Sequence, residues 1–280
     1  MHIPTGVECA LKAVSKRRTF AKTSNLTHLK GEKEIVELMD GSPFVVQTAG
    51  TFQTATSVYF VMEYLPDGDL YKKANSGDMS IGEIHVFLAH ALLGIEAVHS
   101  KGAIHRDIKP ENFLVDRDGS LKLTDFGFAK MAPTQGERLT SQYGTPEYVA
   151  PEVLRGTGYG QPVDMWALGI LCYELIVGRS PFQDENLEIM YANILGGQVR
   201  FPPNAKGMTG HAKSLIRGLL RQNPARRMNV DEVKSHPFFD GIDFEALYES
   251  AHKPSVLPRF QPSSVEDELD DGYNGAFAGF

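Results

Sequence analysis

"HRDIKPENFLVDRDGSLKLTDFG", residues 105–127, is the stretch of the sequence that decides the fold. Its two apolar runs, "FLV" and "LKL", flank Asp118-Gly119, a pair that favours the positive φ angles of a tight turn. The stretch therefore predicts a β-hairpin, because two short strands joined by a turn fold back on each other. Such a hairpin would mount four polar side chains near one another: Asp107, Lys109, Asn112 and Asp125.

The composition is that of a globular protein. Of its 280 residues, 42% are hydrophobic, which is enough to bury a core. The net charge of −7 argues against a nonspecific nucleic-acid binder and suits a basic partner, although acidic globular proteins are common. Cys9 and Cys172 are too few and too far apart for a disulfide framework or a zinc motif. We therefore expect an intracellular protein, cytoplasmic or nuclear, with no membrane span.

The chain divides into two regions of different character. Residues 1–64 predict a strand, a helix and two further strands, over 7–16, 28–39, 44–52 and 58–65. Residues 65–240 are mainly helical in pattern, and residues 241–280 are Pro-rich and then acidic. A cleft is expected where the two regions meet, near residues 65–68.

Three helices stand out in the second region. Ser80 and Glu83 form a capping box ahead of a long apolar stripe, and Asn229 and Glu232 repeat that pattern. The run "VDMWALGILCYELIVG", residues 163–178, is apolar on nearly every side, which predicts a central buried helix.

Four stretches in a fixed order resemble the catalytic core of eukaryotic protein kinases: "HRDIKPEN", "DFG", "GTPEYVAPE" and "DMWALGILCYE". "FGFAK" and the closing "FAGF" are similar to the AGC group, which contains the cyclic-nucleotide-dependent and related basophilic serine/threonine kinases. The resemblance implies an α+β, bilobal fold. It has a small β-rich N-lobe at 1–64, a larger helical C-lobe at 65–240 and an AGC-type C-terminal tail at 241–280.

The resemblance also implies the chemistry, which is transfer of the γ-phosphate of ATP to serine or threonine with the help of Mg²⁺. Phosphoryl transfer needs positioning and charge neutralisation more than covalent work by the protein. Asp107 would accept the proton of the substrate hydroxyl or orient that hydroxyl, and Lys109 would contact the transferring phosphate. Asn112 and Asp125 carry the oxygen ligands that Mg²⁺ prefers. Taken singly, each aspartate is more often a turn or ion-pair residue.

Lys12, in "CALK", matches the strand lysine that binds the α- and β-phosphates of the nucleotide. Its expected partner is Glu32 on the following helix, with Glu34 and Glu37 as alternatives. Six residues resemble the walls of the nucleotide pocket, although without the motifs they would pass for ordinary core or surface: Ala10, Met62, Glu63, Leu65, Asp69 and Leu114.

Acidic residues predict the substrate. Asp69, Glu111 and Glu174 match positions that pair with arginines before the phosphoacceptor, and carboxylates select arginine through bidentate hydrogen bonds. The expected substrates are therefore proteins with basic motifs, with ordinary surface charge as the alternative for each acid. Thr145, which resembles the residue bridging the catalytic aspartate and lysine, belongs to the same groove.

Activation by phosphorylation is also implied. Ser141 matches the activation-loop phosphosite, with Thr140 as the neighbouring alternative, and an upstream kinase would modify it. Arg106 would bind the phosphate. Two further features resemble structural supports: an ion pair of Glu152 with Arg227, and hydrogen bonds from Asp164 to the catalytic loop.

The pattern departs from the family at both ends. No G-x-G-x-x-G loop and neither of its two strands precedes Lys12, so the N-lobe is expected to lack them and the chain to be truncated at its start. The missing loop motivates an alternative hypothesis, a kinase-like scaffold with weak or no turnover. Phe277 and Phe280 resemble a docking motif of the tail, or else a frayed end. The basic run at 15–22 is interpreted as a solvated loop, with an anionic partner as the alternative.

Overall fold

The computed structural model describes residues 6–20, 23–77, 79–134, 137–141, 143–203 and 205–251. Within these residues, a lobe built on an antiparallel sheet precedes a lobe built mainly of helices. This is the α+β, two-lobed arrangement that the motifs imply.

The sheet of the N-lobe has three strands in the order β1-β3-β2: β1 (Cys9–Ser15), β2 (Thr48–Gln53) and β3 (Ser57–Glu63). The central strand β3 places Met62 opposite Ala10 and Phe60 opposite Lys12. The strand predicted at 44–52 begins later, at Thr48, because the preceding residues bridge to the other lobe through Val45 and Leu123.

Two helices follow β1: α1 (Lys16–Phe20) and α2 (Thr23–Leu38). The interpretation of residues 15–22 as a solvated loop is wrong, because α1 lies there with Lys16 and Thr19 buried. The helix α2 begins five residues before the predicted 28–39. Leu29 packs against Val58 and Phe60 of β3, and this small cluster fixes α2 on the sheet.

The C-lobe contains the remaining helices and four short strands. The helices are α3 (Leu70–Asn75), α4 (Ile81–Ser100), α5 (Pro151–Leu154), α6 (Pro162–Val177), α7 (Leu187–Gly196), α8 (Gly210–Leu219), α9 (Val230–Lys234) and α10 (Phe244–Ala251). The strands are β4 (Ala103–Ile104), β5 (Phe113–Val115), β6 (Leu121–Leu123) and β7 (Lys130–Met131).

Several predicted features of this lobe are confirmed. Capping boxes begin α4 and α9, and α6 is buried over most of its length, with Trp166 fully inaccessible. Strands β5 and β6 form the predicted hairpin. Within its turn, only Gly119 takes a positive φ, of 81°, whereas Asp118 acts through its side chain, which accepts from the backbone N–H of Ser120 at 2.9 Å.

The helix α4 is long and apolar enough to cross a membrane, by length and composition alone, which the sequence analysis did not anticipate. The most apolar stretch of 18 residues in α4 has a mean hydropathy of 1.5, but 61% of that stretch is buried within the protein. Leu88, Leu92 and Ile95 belong to the main core together with α6. The apolar character of α4 is therefore explained by its central position.

The region predicted as a tail begins with a helix that packs on the C-lobe. Phe244 of α10 lies edge-on to Phe239, with ring centroids 5.5 Å apart, and Tyr248 lies 6.1 Å from Phe44. The predicted boundary at residue 240 stays a prediction. Phe277 and Phe280 lie outside the described residues.

His90 gives the C-lobe a pH-dependent stability. Its Nδ1 accepts from the N–H of Leu121 at 3.3 Å, and burial, partly opposed by Asp118, lowers its pKa to about 4. An unfolded histidine titrates near pH 6.5, so between pH 7 and pH 5 mainly the unfolded state gains a proton. We expect this residue to lower the free energy of unfolding by about 2 kcal/mol over that interval.

Urea unfolding of the protein and of His90→Asn at the two pH values checks this expectation. The variant should lose about 2 kcal/mol less on acidification. Equal losses in both proteins would contradict the assignment.

Candidate active site

The loop that carries the catalytic motif has an unusual backbone. Arg106 and Asp125 are the two non-glycine residues with positive φ among those the structure describes, at 70° and 60°. Such conformations cost about 1–3 kcal/mol each and persist where the surroundings enforce them. Both residues lie in the kinase-like motifs, "HRDIKPEN" and "DFG". The backbone strain therefore occurs at positions where the orientation of a functional side chain matters.

Lys12 joins the two lobes. Its ammonium Nζ lies 2.5 Å from Glu32 Oε1 on α2 and 2.7 Å from Asp125 Oδ1. Glu32 is therefore the partner, whereas Glu34 is exposed and Glu37 pairs with Lys33. The strand lysine, the helix glutamate and the aspartate of "DFG" form one continuous network.

The network also sets the charge state of its members. Burial lowers the pKa of Lys12, but the carboxylates of Glu32 and Asp125 outweigh burial and hold it above its usual value. Burial raises the pKa of Asp125, and the Lys12 ammonium outweighs that effect and holds it below its usual value. Lys12 is thus a cation and Asp125 an anion at neutral pH.

A second cluster surrounds Asp107, which is buried. Lys109 Nζ lies 3.0 Å from Asp107 Oδ2 and donates to Thr145 Oγ1 at 2.8 Å. Thr145 donates from its N–H and its hydroxyl to Asp107 Oδ1, both at 3.0 Å. Asn112 Nδ2 donates to Asp107 Oδ2 at 2.9 Å. Thr145 therefore bridges the aspartate and the lysine, as its motif implies.

His105 connects the two clusters. It is fully buried, its ring packs edge-on against Phe126 of "DFG" at 5.0 Å, and its Nε2 lies 3.1 Å from the carbonyl oxygen of Thr124. Burial lowers its pKa, and the carboxylates of Asp107 and Asp125 are among the groups that oppose that shift. Asp107 and Asp125 therefore lie near the same histidine and not on opposite sides of the molecule.

Asp164 of α6 binds the backbone of the catalytic loop. Its carboxylate accepts from the N–H groups of His105 and Arg106 at 2.9 and 2.8 Å and lies 2.8 Å from His99 Nε2. Burial raises the pKa of Asp164, and these hydrogen bonds together with nearby histidines bring it below its usual value. The expected role of Asp164 as an anchor of the loop is confirmed.

A cavity lies between the lobes beside the Lys12 network, lined in part by Lys12, Glu32, Met62 and Asp125. Ala10 lies opposite Met62 in the sheet, and Leu114 bridges to Asp69. Of the six predicted pocket residues, Met62 lines this cavity, whereas the other five do not: Ala10, Glu63, Leu65, Asp69 and Leu114.

Two predicted nucleotide contacts already have partners in the protein. The N–H of Glu63 donates to the carbonyl oxygen of Gln47 at 3.0 Å, so it is not free for a ligand. Its carboxylate pairs with Lys122 at 2.7 Å. Asp69 accepts from the N–H of Lys72 at 2.8 Å as the N-cap of α3.

Two of the predicted substrate acids, Glu111 and Glu174, form an acidic cluster with Glu147 around Tyr148. Glu174 accepts a very short hydrogen bond from the Tyr148 hydroxyl. Burial raises the pKa of Glu174, and Glu147 and Glu111 raise it further, although Tyr148 opposes the shift. Sequence reasoning missed Glu147, because "GTPEY" was interpreted through its threonine alone.

Arg106 lies beside the activation segment. Its Nη1 donates to the Tyr159 hydroxyl at 3.0 Å, and that hydroxyl donates to the carbonyl oxygen of Ser141 at 2.8 Å. The guanidinium also stacks over Tyr143 at 4.8 Å. Ser141 itself is exposed.

His28 lies near both Arg106 and Lys130, and it could not be singled out from the sequence. Burial lowers the pKa of His28, and the positive charges of Arg106 and Lys130 lower it further. His28 Nε2 also lies 3.2 Å from the Tyr143 hydroxyl. His28 and the Arg106 guanidinium therefore both contact Tyr143, two residues after Ser141.

The predicted ion pair at the end of the activation segment is confirmed. Arg227 Nη1 and Nη2 donate to the two carboxylate oxygens of Glu152 at 2.6 and 2.9 Å, with both side chains buried. The guanidinium also stacks over Trp166 of α6 at 5.1 Å.

Comparison with known proteins agrees with this geometry. The family model described as "Protein kinase domain" matches residues 1–239. The chain belongs to the protein kinase family.

The relatives place this kinase in the AGC group of serine/threonine protein kinases. Gad8 of Schizosaccharomyces pombe is 37% identical over 265 residues, which cover 93% of this chain and 45% of gad8. YPK2/YKR2 of Saccharomyces cerevisiae is 36% identical, with 93% of this chain and 39% of the relative covered. The human cAMP-dependent protein kinase catalytic subunit PRKX is 39% identical, with 83% and 64% covered. The kinase thus spans less than two thirds of each of these proteins.

Proposed function

We propose that the protein transfers the γ-phosphate of ATP to serine or threonine of proteins with arginines ahead of the phosphoacceptor. The observation that supports this most directly is the continuous Lys12–Glu32–Asp125 network beside the Asp107–Lys109–Thr145 cluster. The ion pair of the strand lysine and helix glutamate is a condition for activity in protein kinases.

The role proposed for each residue follows from the contacts described above. Asp107 orients the substrate hydroxyl and takes its proton, because Thr145 and Asn112 hold the carboxylate in one position. Lys109 neutralises the transferring phosphoryl group, and Lys12 binds the other phosphates. The apolar residues at the junction of the lobes, with Met62 and Leu114, bind the adenine.

The residues also fit a divalent cation. The described residues contain no group of three or more histidine, cysteine or acidic side chains that could hold a metal ion by itself, but Mg²⁺ needs only one or two protein oxygens beside phosphates. Asn112 uses its Nδ2 to donate to Asp107, which leaves its amide oxygen for a cation, and Asp125 is ionised. When bound there, Mg²⁺ would neutralise phosphate charge.

Phosphate transfer from labelled ATP to a serine peptide with upstream arginines tests the proposal, with the full-length protein. Changing the arginines to glutamine should raise KM about tenfold or more, because each charged hydrogen bond contributes about 1.5–3 kcal/mol. Glu174→Gln should erase part of that preference, whereas Glu249→Gln on the exposed face of α10 should not. Equal KM values for both peptides would contradict the arginine preference.

Regulation by phosphorylation of Ser141 is part of the proposal. The Arg106 guanidinium beside Tyr143 supports it, since a phosphate carries about −1.5 to −2 charges and can pair with a guanidinium. Ser141→Ala is expected to lower kcat/KM at least about tenfold, the equivalent of one charged hydrogen bond. Thr140→Ala is the control, and the peptide assay after treatment with an upstream kinase is the measurement. A larger effect of the Thr140 change would assign the site to Thr140.

A scaffold without turnover is the alternative, motivated by the absence of a glycine-rich loop from the sequence. A scaffold has no need of Asp107, Lys109, Asn112 and Asp125, so their shared geometry favours catalysis. We also propose an intracellular location, which two free, distant cysteines support.

A further inference from the structure

A groove with two arginines lies beyond the C-terminal end of α6. Two adjoining cavities share Pro181 and Arg200, and their other lining residues include Tyr173, Arg179, Phe182 and Phe201. We call this surface the basic groove. It belongs to neither the nucleotide pocket nor the Asp107 cluster.

The basic groove has an uncompensated positive charge. Arg179 and Arg200 are exposed. Within the part of the chain that the structure describes, neither arginine forms a salt bridge. No described residue that lines the groove is acidic. Asp184 is near in sequence, but it is not among the lining residues, and its carboxylate accepts from the N–H of Asn186. A positive groove on a chain of net charge −7 is a local reversal of sign.

The walls of the groove are fixed by packing. Phe182 is buried and stacks on Trp166, with ring centroids 5.7 Å apart. The Tyr173 hydroxyl donates to the carbonyl oxygen of Arg200 at 2.8 Å, which holds that segment in place. The guanidinium of Arg217 lies 4.8 Å from the centroid of the Phe201 ring. A preformed surface loses little freedom when a ligand binds.

The groove begins about one helical turn beyond Glu174 of the acidic cluster. Glu174 lies in the last turn of α6, and Gly178, with φ of 84°, ends the helix and turns the chain toward Arg179. The helix rise makes the axial separation of Glu174 and Gly178 about 6 Å, or roughly two residues of extended peptide. A peptide whose arginines bind the acidic cluster can therefore reach the basic groove with residues that adjoin those arginines.

We propose that the basic groove binds an acidic segment of the protein substrate, located before the arginines that precede the phosphoacceptor. The inference rests on the proposed function and adds a second determinant of opposite charge. The recognised sequence is then acidic residues, a short spacer, arginines and the phosphoacceptor. Guanidinium groups bind carboxylates through paired hydrogen bonds, so glutamate and aspartate fit this surface.

The test compares two peptides with the full-length kinase. Both contain the arginines and a serine, and a preceding block of four residues is glutamate in one and glutamine in the other, with spacers of two to six residues. The glutamate block should lower KM about fivefold at the best spacer, with kcat unchanged, and added salt should reduce the difference. The double variant Arg179→Gln, Arg200→Gln should erase it, whereas Arg117→Gln in the β5–β6 turn should preserve it.

Direct binding separates this inference from the proposed function. Fluorescence polarisation with the glutamate peptide, its serine replaced by alanine, measures the groove without turnover. Tighter binding of the glutamate peptide that disappears in the double variant supports the inference even if no phosphate is transferred. The inference is overturned if the glutamate block brings no advantage at any spacer, or if the advantage survives in the double variant.

Discussion

Asp125→Asn is expected to lower the kcat of the kinase roughly 10³-fold, the equivalent of about 4 kcal/mol of lost electrostatic stabilisation. The substitution keeps the size of the side chain but removes the negative charge that faces Lys12 at 2.7 Å. It also removes the anionic oxygen that we propose as the ligand of the divalent cation. The measurement is phosphate transfer to an arginine-containing peptide by the full-length protein, with circular dichroism as a check on folding.

Asp118→Asn is the matched control for Asp125→Asn. Asp118 lies in the β5–β6 turn, where its carboxylate accepts from the N–H and hydroxyl of Ser120. Loss of its charge should leave kcat within about twofold, since it is a turn residue away from the proposed reaction. If Asp125→Asn kept more than a tenth of the activity, the proposed cation ligand would be wrong.

Arg227→Met is expected to lower the free energy of unfolding by about 3–5 kcal/mol. The loss leaves the buried carboxylate of Glu152 without a counter-ion, and it also removes the donors to the carbonyl oxygens of Pro162 and Arg221. Urea unfolding followed by circular dichroism measures the change. The neighbouring exposed residue provides the control, because Arg226→Met should cost less than about 0.5 kcal/mol.

A double variant separates the cost of an unpaired charge from the worth of the pair. Glu152→Leu together with Arg227→Met leaves no isolated buried charge, so it should be more stable than Arg227→Met alone. A double variant that is less stable than the single variant would mean that the pair itself, rather than the orphaned carboxylate, accounts for the loss.

The catalytic residues could be predicted from the sequence because the short motifs fix both their identity and their order. The contacts between these catalytic residues could not be predicted from local sequence patterns. Lys12 and Asp125 are 113 residues apart, and their contact depends on the packing of α2 and the "DFG" segment. The family resemblance supplied this long-range information, which periodicity and capping signals do not contain.

Local pattern failed where tertiary packing decided the outcome. The five residues of α1 are too few to show a helical period, and their burial depends on neighbours that are distant in sequence. Glu147 and His28 carry no local signal of their role, since an isolated acid or histidine on the surface has the same appearance. Arg106 gave no hint of its positive φ angle, because glycine, asparagine and aspartate are the residues that adopt it most readily. Asp125 is of a suitable type, but nothing distinguishes it in this respect from the other aspartates of the chain.

One carboxylate ties the reaction centre to the interior of the C-lobe. Asp164 lies on a helix that is buried over most of its length and accepts hydrogen bonds from two successive amides of the catalytic loop. The loop therefore has little freedom to melt by itself, because its opening exposes an anion that only the intact core shelters. Loss of catalytic competence on heating should then coincide with collapse of the whole lobe, and no inactive yet folded species should precede it.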